Sequence, residues 1–195
     1  MIPFEKIYKH LKRIKVFEDN KSKNRILTFT VTPHWHNFLL LISGVLASRG
    51  VIIDYFWNDF YNHDNKDTSN DKKIIYEFFS KIKKNKINKN LNFININNIQ
   101  KSKLPGKLIK IIKKQSEIDT SNHFRRIKLD KKKYVYKKIY SDKLNQNIKL
   151  ASRIFNLVQK EKYSSAIVPA GSFLYEWGVV FKTLRYLNIN CCSID

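Results

Sequence analysis

His34 and His36 flank Trp35 in the segment Thr32-Pro33-His34-Trp35-His36, and they are the residues of this sequence best suited to moving a proton. An imidazole titrates near neutrality, so it can take a hydroxyl proton while that oxygen attacks another centre. The plain alternative is that one His packs against or caps the following helix and the other faces solvent. A lone His-x-His without a third ligand nearby argues against a metal site. Gly171 and Ser172 are a second candidate pair. They follow a short apolar run and open a helical stretch, where free backbone N–H groups can hold an anion or a hydroxyl. A tight turn with a Ser cap explains the same two residues, and the full G-x-G-x-x-G fingerprint is absent. Glu176, one turn later, can accept a hydrogen bond from a ligand hydroxyl, or can simply favour the positive end of its helix. Asp59 follows the second apolar run and is the last candidate, with an ordinary loop acid as its alternative.

These residues need elements to position them. Residues 25–31, Arg-Ile-Leu-Thr-Phe-Thr-Val, are β-rich, and Thr32-Pro33 ends the run. Apolar residues at 35, 38, 39, 42, 45 and 46 predict a helix over 35–48, closed by Arg49-Gly50. Residues 51–57 are a second strand. Strand, helix and strand with short joins make a βαβ unit, which implies a parallel sheet. The pattern repeats at the other end, with a strand over 165–169, a turn at 170–172, a helix over 173–187 and a strand over 188–194. Between these, the spacing predicts helices over 72–84, about 105–115 and 145–160, and a strand over 91–96. Residues 119–143 stay ambiguous. Residues 3–16 form a basic amphipathic helix, with Phe4, Ile7, Tyr8, Leu11 and Ile14 on one face. It either docks on the domain as a surface helix or lies on anionic lipid.

Five strands alternating with helices predict an α/β fold, an open, doubly wound, mostly parallel, Rossmann-like sheet. Residues 1–24 are read as helix and linker, and residues 25–195 as the domain. Such folds bind ligands beyond the carboxyl ends of their strands. The loops at 32–36, 58–71 and 170–176 therefore matter most, and His36 and Gly171 are expected to face a shared crevice.

The chain has 195 residues and a net charge of +22. That balance suits a polyanion, either nucleic acid or an anionic membrane surface. Composition offers a second cause. There are 31 Lys against 7 Arg, 25 Ile against 4 Ala, and 20 Asn, the residues that AT-rich codons specify. Dedicated phosphate readers favour the bidentate Arg. The adjacent Cys191 and Cys192 make no disulfide framework and no metal spacing, which fits a reducing, cytoplasmic compartment. The longest apolar run, 38–47, is about half a membrane span.

The segment from Thr32-Pro-His-Trp-His36, through a helix ending Ser48-Arg-Gly50, to Val51-Ile-Ile-Asp-Tyr-Phe-Trp57 resembles the opening of a two-domain glycosyltransferase of the GT-B class. Ile167-Val-Pro-Ala-Gly-Ser172, with Glu176, Gly178, Arg185 and Ile194, resembles a later unit of the same N-terminal domain. Capsule and surface-polysaccharide transferases are the most similar. The likeness covers residues 25–57 and 163–195, and its motifs are loose. It implies sugar transfer from a nucleotide-sugar co-substrate, with no other cofactor, to a polysaccharide or lipid-linked acceptor. It implies His36 or His34 as the base, and Trp35, Asp59, Gly171, Ser172 and Glu176 around the acceptor. Trp35 and Trp177 can stack on a sugar ring, although apolar helix faces more often bury such residues. Family members carry a second, donor-binding domain, and this chain ends where the first would finish. The expectation is a truncated frame, half of a split enzyme or an N-terminal domain alone, served by a separate donor-binding domain or chain. Its place would be the cytoplasm, peripheral on the inner membrane.

The rival class is a basic nucleic-acid-binding protein. Tyr134, Tyr136 and Tyr140 interleave with Lys as a single-strand platform can. No recognisable RNA or DNA module accompanies them, and a solvated Lys-rich surface explains the runs 81–90 and 128–138 equally.

Overall fold

A computed structural model of the chain describes residues 4–14, 24–30, 33–57, 69–84, 89–124, 133–169 and 175–194. The Thr- and aromatic-rich run forms β1 (Arg25–Thr30), and the Pro break gives way to α2 (Pro33–Ser48), whose first position suits a residue without an N–H. α2 stops at Arg49-Gly50 as the sequence predicts. Gly50 takes a left-handed φ of 86°. Its N–H reaches Ala47 O at 3.1 Å and the Val51 N–H reaches Leu46 O at 3.2 Å, the paired bonds that satisfy a helix's last carbonyls. β2 (Ile52–Trp57) then runs parallel to β1, with Thr28 beside Tyr55 and Thr30 beside Trp57. β3 (Leu91–Asn95) lies parallel on its other side, with Phe93 beside Tyr55.

The register sorts the two faces of these strands. Laterally paired residues share a face, so Thr28, Thr30, Tyr55, Trp57 and Phe93 form one side. α2 and α3 (Ser69–Lys84) supply its partners: His36 and Phe79 pack on Tyr55 with ring centroids 5.9 and 5.8 Å away. The other side carries the row Leu27, Asp54 and Asn92. There Asp54, fully buried, accepts from Arg25 Nε and Asn92 Nδ2, each at 2.8 Å. A buried carboxylate persists only when donors of this kind surround it. α1 (Phe4–Arg13) packs on α2 with Ile7, Tyr8 and Leu11 buried. Gly44 permits that approach, because a Cβ there would overlap Leu11 Cδ2. The docked-helix alternative for this segment is the one observed.

The chain divides into two compact units, Met1–Asn95 and Ile96–Asp195. α1 falls within the first of these units. In the second unit β4 (Ser165–Pro169) pairs parallel with β5 (Asn190–Ile194), joined through α6 (Tyr175–Tyr186). Asn188, with φ 58°, ends α6 as Gly50 ends α2, with its N–H on Arg185 O and that of Ile189 on Leu184 O. Before them come α4 (Gly106–His123) and α5 (Tyr134–Lys160), and both exceed the sequence reading. Polar residues interrupt their apolar stripes at Gln115, Ser116, Asp119 and Asn147, yet all four are buried. Among the described residues the class is α/β with five strands, every pairing within a unit parallel, as the alternating pattern predicts.

Candidate functional site

The first turn of α2 holds the sequence-predicted histidines immediately after β1. His36 sits at its inner side, with no exposed surface. Its Nδ1 lies 2.9 Å from the Tyr55 hydroxyl, and Phe79 meets its ring edge-on at 5.7 Å. Burial pushes the His36 pKa down to about 3 and holds the Tyr55 phenol well above its usual value. Both groups are therefore neutral at physiological pH. One proton joins them, and either Nε2–H or the phenol hydrogen is left over, depending on the tautomer. Nε2 has no hydrogen-bond partner, and neither have the buried hydroxyls of Thr28 and Thr30, which line the same face of the sheet.

This changes what His36 can do. The expectation made it a base at the ligand, but the enclosed imidazole meets no outside hydroxyl, and a pKa of about 3 leaves it a weak acceptor for a hydroxyl proton. Its observed work is to tie the first turn of α2 to β2. Tyr55, its partner, was missed in the sequence reading because an aromatic in a strand reads as packing alone. The signal was its position, odd-numbered with Ile53 and Trp57 on the helix-covered face. Trp35 is half-exposed and meets Phe38 edge-on at 6.1 Å. The His34 side chain, Asp59, Gly171 and Ser172 lie outside the described residues, as do the loop residues 31–32, 58–68 and 170–174. Glu176 and Trp177 are half-buried in the first turn of α6, and the Trp177 Nε1 is buried without a hydrogen-bond partner.

A second polar constellation, absent from the sequence reading, joins α4, α5 and α6. Lys182 Nζ donates to Gln115 Oε1 at 2.5 Å, and Gln115 Nε2 donates to Asp119 Oδ1 at 2.7 Å. Asn147 Nδ2 donates to the other carboxylate oxygen at 2.8 Å and to Ser116 Oγ at 3.0 Å. Gln115, Ser116 and Asp119 have no exposed surface. Gly178 makes the room, since a Cβ there would lie 2.8 Å from Gln115 Nε2. Burial lowers the pKa of Lys182, opposed by the charge of Asp119, and lowers that of Lys143, opposed by Glu176 and Asp119. The network is chemically satisfied: each named donor ends on an acceptor. The sequence signals were the i, i+4 pair Gln115/Asp119, the in-stripe Asn147 and a Gly inside a helix.

The tyrosine platform resolves differently. Tyr134 is exposed, but Tyr136 is buried and stacks on Tyr140 at 6.1 Å with rings 6° from parallel. This is an intrahelical i, i+4 pair, with one ring removed from any base. Among the described residues no three His, Cys, Asp or Glu side chains gather to hold a metal ion, and no helix is long and apolar enough to cross a membrane. No protein-family model and no curated protein matches this chain.

Proposed function

We propose that the chain is the acceptor-side domain of a glycosyltransferase. In that role it recognises a polysaccharide or lipid-linked saccharide that receives a sugar from a nucleotide-sugar. The observation that supports this most is the parallel β1–α2–β2 unit, which sets Pro33-His34-Trp35-His36 into the first turn of a helix at the carboxyl end of a strand. That is where open parallel sheets collect ligands.

Within that turn the two histidines take different work. His36 is the positioning residue, locked to Tyr55 in the interior. His34 is the base that accepts the proton of the acceptor hydroxyl as its oxygen bonds to the anomeric carbon and the nucleotide leaves. The half-exposed Trp35 ring offers an apolar face to a sugar. Asp59 in the first unit, and Gly171, Ser172 and Glu176 in the second, are each proposed as saccharide contacts of their own unit, and donor binding falls to a separate domain or chain.

The test is retention of the chain on immobilised polysaccharides and polyprenyl-phosphate saccharides. Retention on at least one, weakened tenfold or more by Trp35→Ala and by His34→Ala, fits the reading. Failure on every saccharide, combined with steeply salt-dependent retention on RNA, would replace it with the nucleic-acid reading.

A further inference from the structure

α2 carries two apolar stripes, and only one of them is covered. Leu39, Leu40 and Ala47 are buried inward. On the outward side Phe38 is 44% exposed and Val45 47%, with Trp35, Leu41 and Ile42 partly exposed between and beside them. These positions recur at spacings of three and four, so they form a continuous outward stripe. A contiguous exposed patch of this kind marks a contact surface more often than scattered single residues do.

The stripe borders a groove of 380 Å³ lined by Ile7, His10, Arg13, Ile14 and Leu41, between α1 and α2. The rim is strongly basic. Lys6, Lys9, His10 and Arg13 are exposed along α1. The single acidic residue of the two helices, Glu5, is held by Lys81 at 2.8 Å. The sequence alternative had α1 laying its own apolar face on lipid, but Ile7, Tyr8 and Leu11 are spent on α2. Cations and apolar surface thus come from different helices: α1 supplies charge and α2 supplies the insertion ridge.

We propose that this α1/α2 surface docks on an anionic lipid bilayer, with Phe38, Leu41, Ile42 and Val45 entering the headgroup boundary and Lys6, Lys9 and Arg13 meeting the lipid charge. Charge complementarity commits the occupant. An all-cationic rim repels a second copy of itself, whereas each Lys or Arg near an anionic leaflet strengthens binding about fivefold. The proposal does not rest on the sugar-transfer reading, because neither His34 nor any saccharide enters it; the half-exposed Trp35, beside the stripe, serves here only as the fluorescent reporter.

The experiment is co-sedimentation of the full chain with phosphatidylcholine vesicles, with and without one-third phosphatidylglycerol. Circular dichroism and light scattering check folding and oligomeric state. The expected result is binding to the anionic vesicles, lowered about 10-fold by Phe38→Ser/Val45→Ser and on the order of 100-fold by Lys6→Gln/Lys9→Gln/Arg13→Gln. Brominated lipid chains should also quench indole fluorescence, and Trp35→Phe should reduce the quenching. Binding that ignores Phe38→Ser/Val45→Ser while responding to salt would overturn the proposal, since it would be bulk polycation adsorption. A dimer dispersed by Phe38→Ser would overturn it in favour of a second copy, and so would absence of binding to both vesicle types.

Discussion

Acidification should destabilise this protein through His36 in particular. The perturbation is a shift from about pH 7.5 to about pH 5, compared between the wild type and the double variant His36→Phe/Tyr55→Phe. In the folded state burial pushes the imidazole's pKa down to about 3, against about 6.5 for a free imidazole. Below the higher value the unfolded chain takes up a proton that the native state refuses, so stability falls as pH falls through that window. At about pH 5 the unfolded imidazole is some 1.5 units below its pKa, and at 1.36 kcal/mol per unit the loss is about 2 kcal/mol. The full difference, nearly 5 kcal/mol, is reached only near pH 3. Urea unfolding at the two pH values measures this. Subtracting the double variant's own pH response removes the carboxylates and the exposed His10 and His123. The double variant is the right reference because it removes both partners and the orphaned Nε2 together, which keeps its own cost near zero at pH 7.5. Tyr55→Phe alone, which strands Nδ1, should cost about 1–2 kcal/mol. Equal acid sensitivity in the wild type and the double variant would refute the enclosed, neutral imidazole.

Other consequences follow from the packing. Gly44→Val should push α1 off α2 by overlap with Leu11, costing about 1–3 kcal/mol and loosening α1 so that trypsin cleaves faster at its already exposed lysines; unchanged digestion would contradict that crossing. Asn147→Leu removes a donor from the buried Asp119 and Ser116 and should cost about 2–3 kcal/mol by urea unfolding. Iodoacetamide should label the exposed Cys192 well before Cys191, whose thiol burial pushes up to about 11; mass spectrometry of the C-terminal peptide reads the order.

Much of the architecture was legible because its signals are local. The alternation of β-rich runs with 3.6-period stripes placed β1, α2, β2, β4 and β5 within two residues, and Gly50 marked the helix end where only a left-handed φ continues the chain. α4 and α5 were read too short for a physical reason. Their inner faces carry Gln115, Ser116, Asp119 and Asn147, which satisfy one another across helices. Hydropathy counts such residues as solvent-facing, and only three-dimensional pairing reveals otherwise. His36 illustrates the same limit at the candidate site. Its residue type announced proton chemistry, while its environment, set by Tyr55 and Phe79 from elements distant in sequence, fixed it as a neutral interior strut. Likewise the apolar stripe read in α2, at 35, 38, 39, 42, 45 and 46, is largely its outward one: Phe38 and Val45 are exposed, while the polar His36 joins Leu39, Leu40 and Ala47 on the buried side.

Hydrogen–deuterium exchange of the full chain with a retained saccharide tests acceptor recognition most directly. The account predicts new protection at residues 30–36, the end of β1 and the first turn of α2. Protection confined to the Lys-rich stretch 128–138 or to α4–α6, with residues 30–36 unchanged, would contradict it.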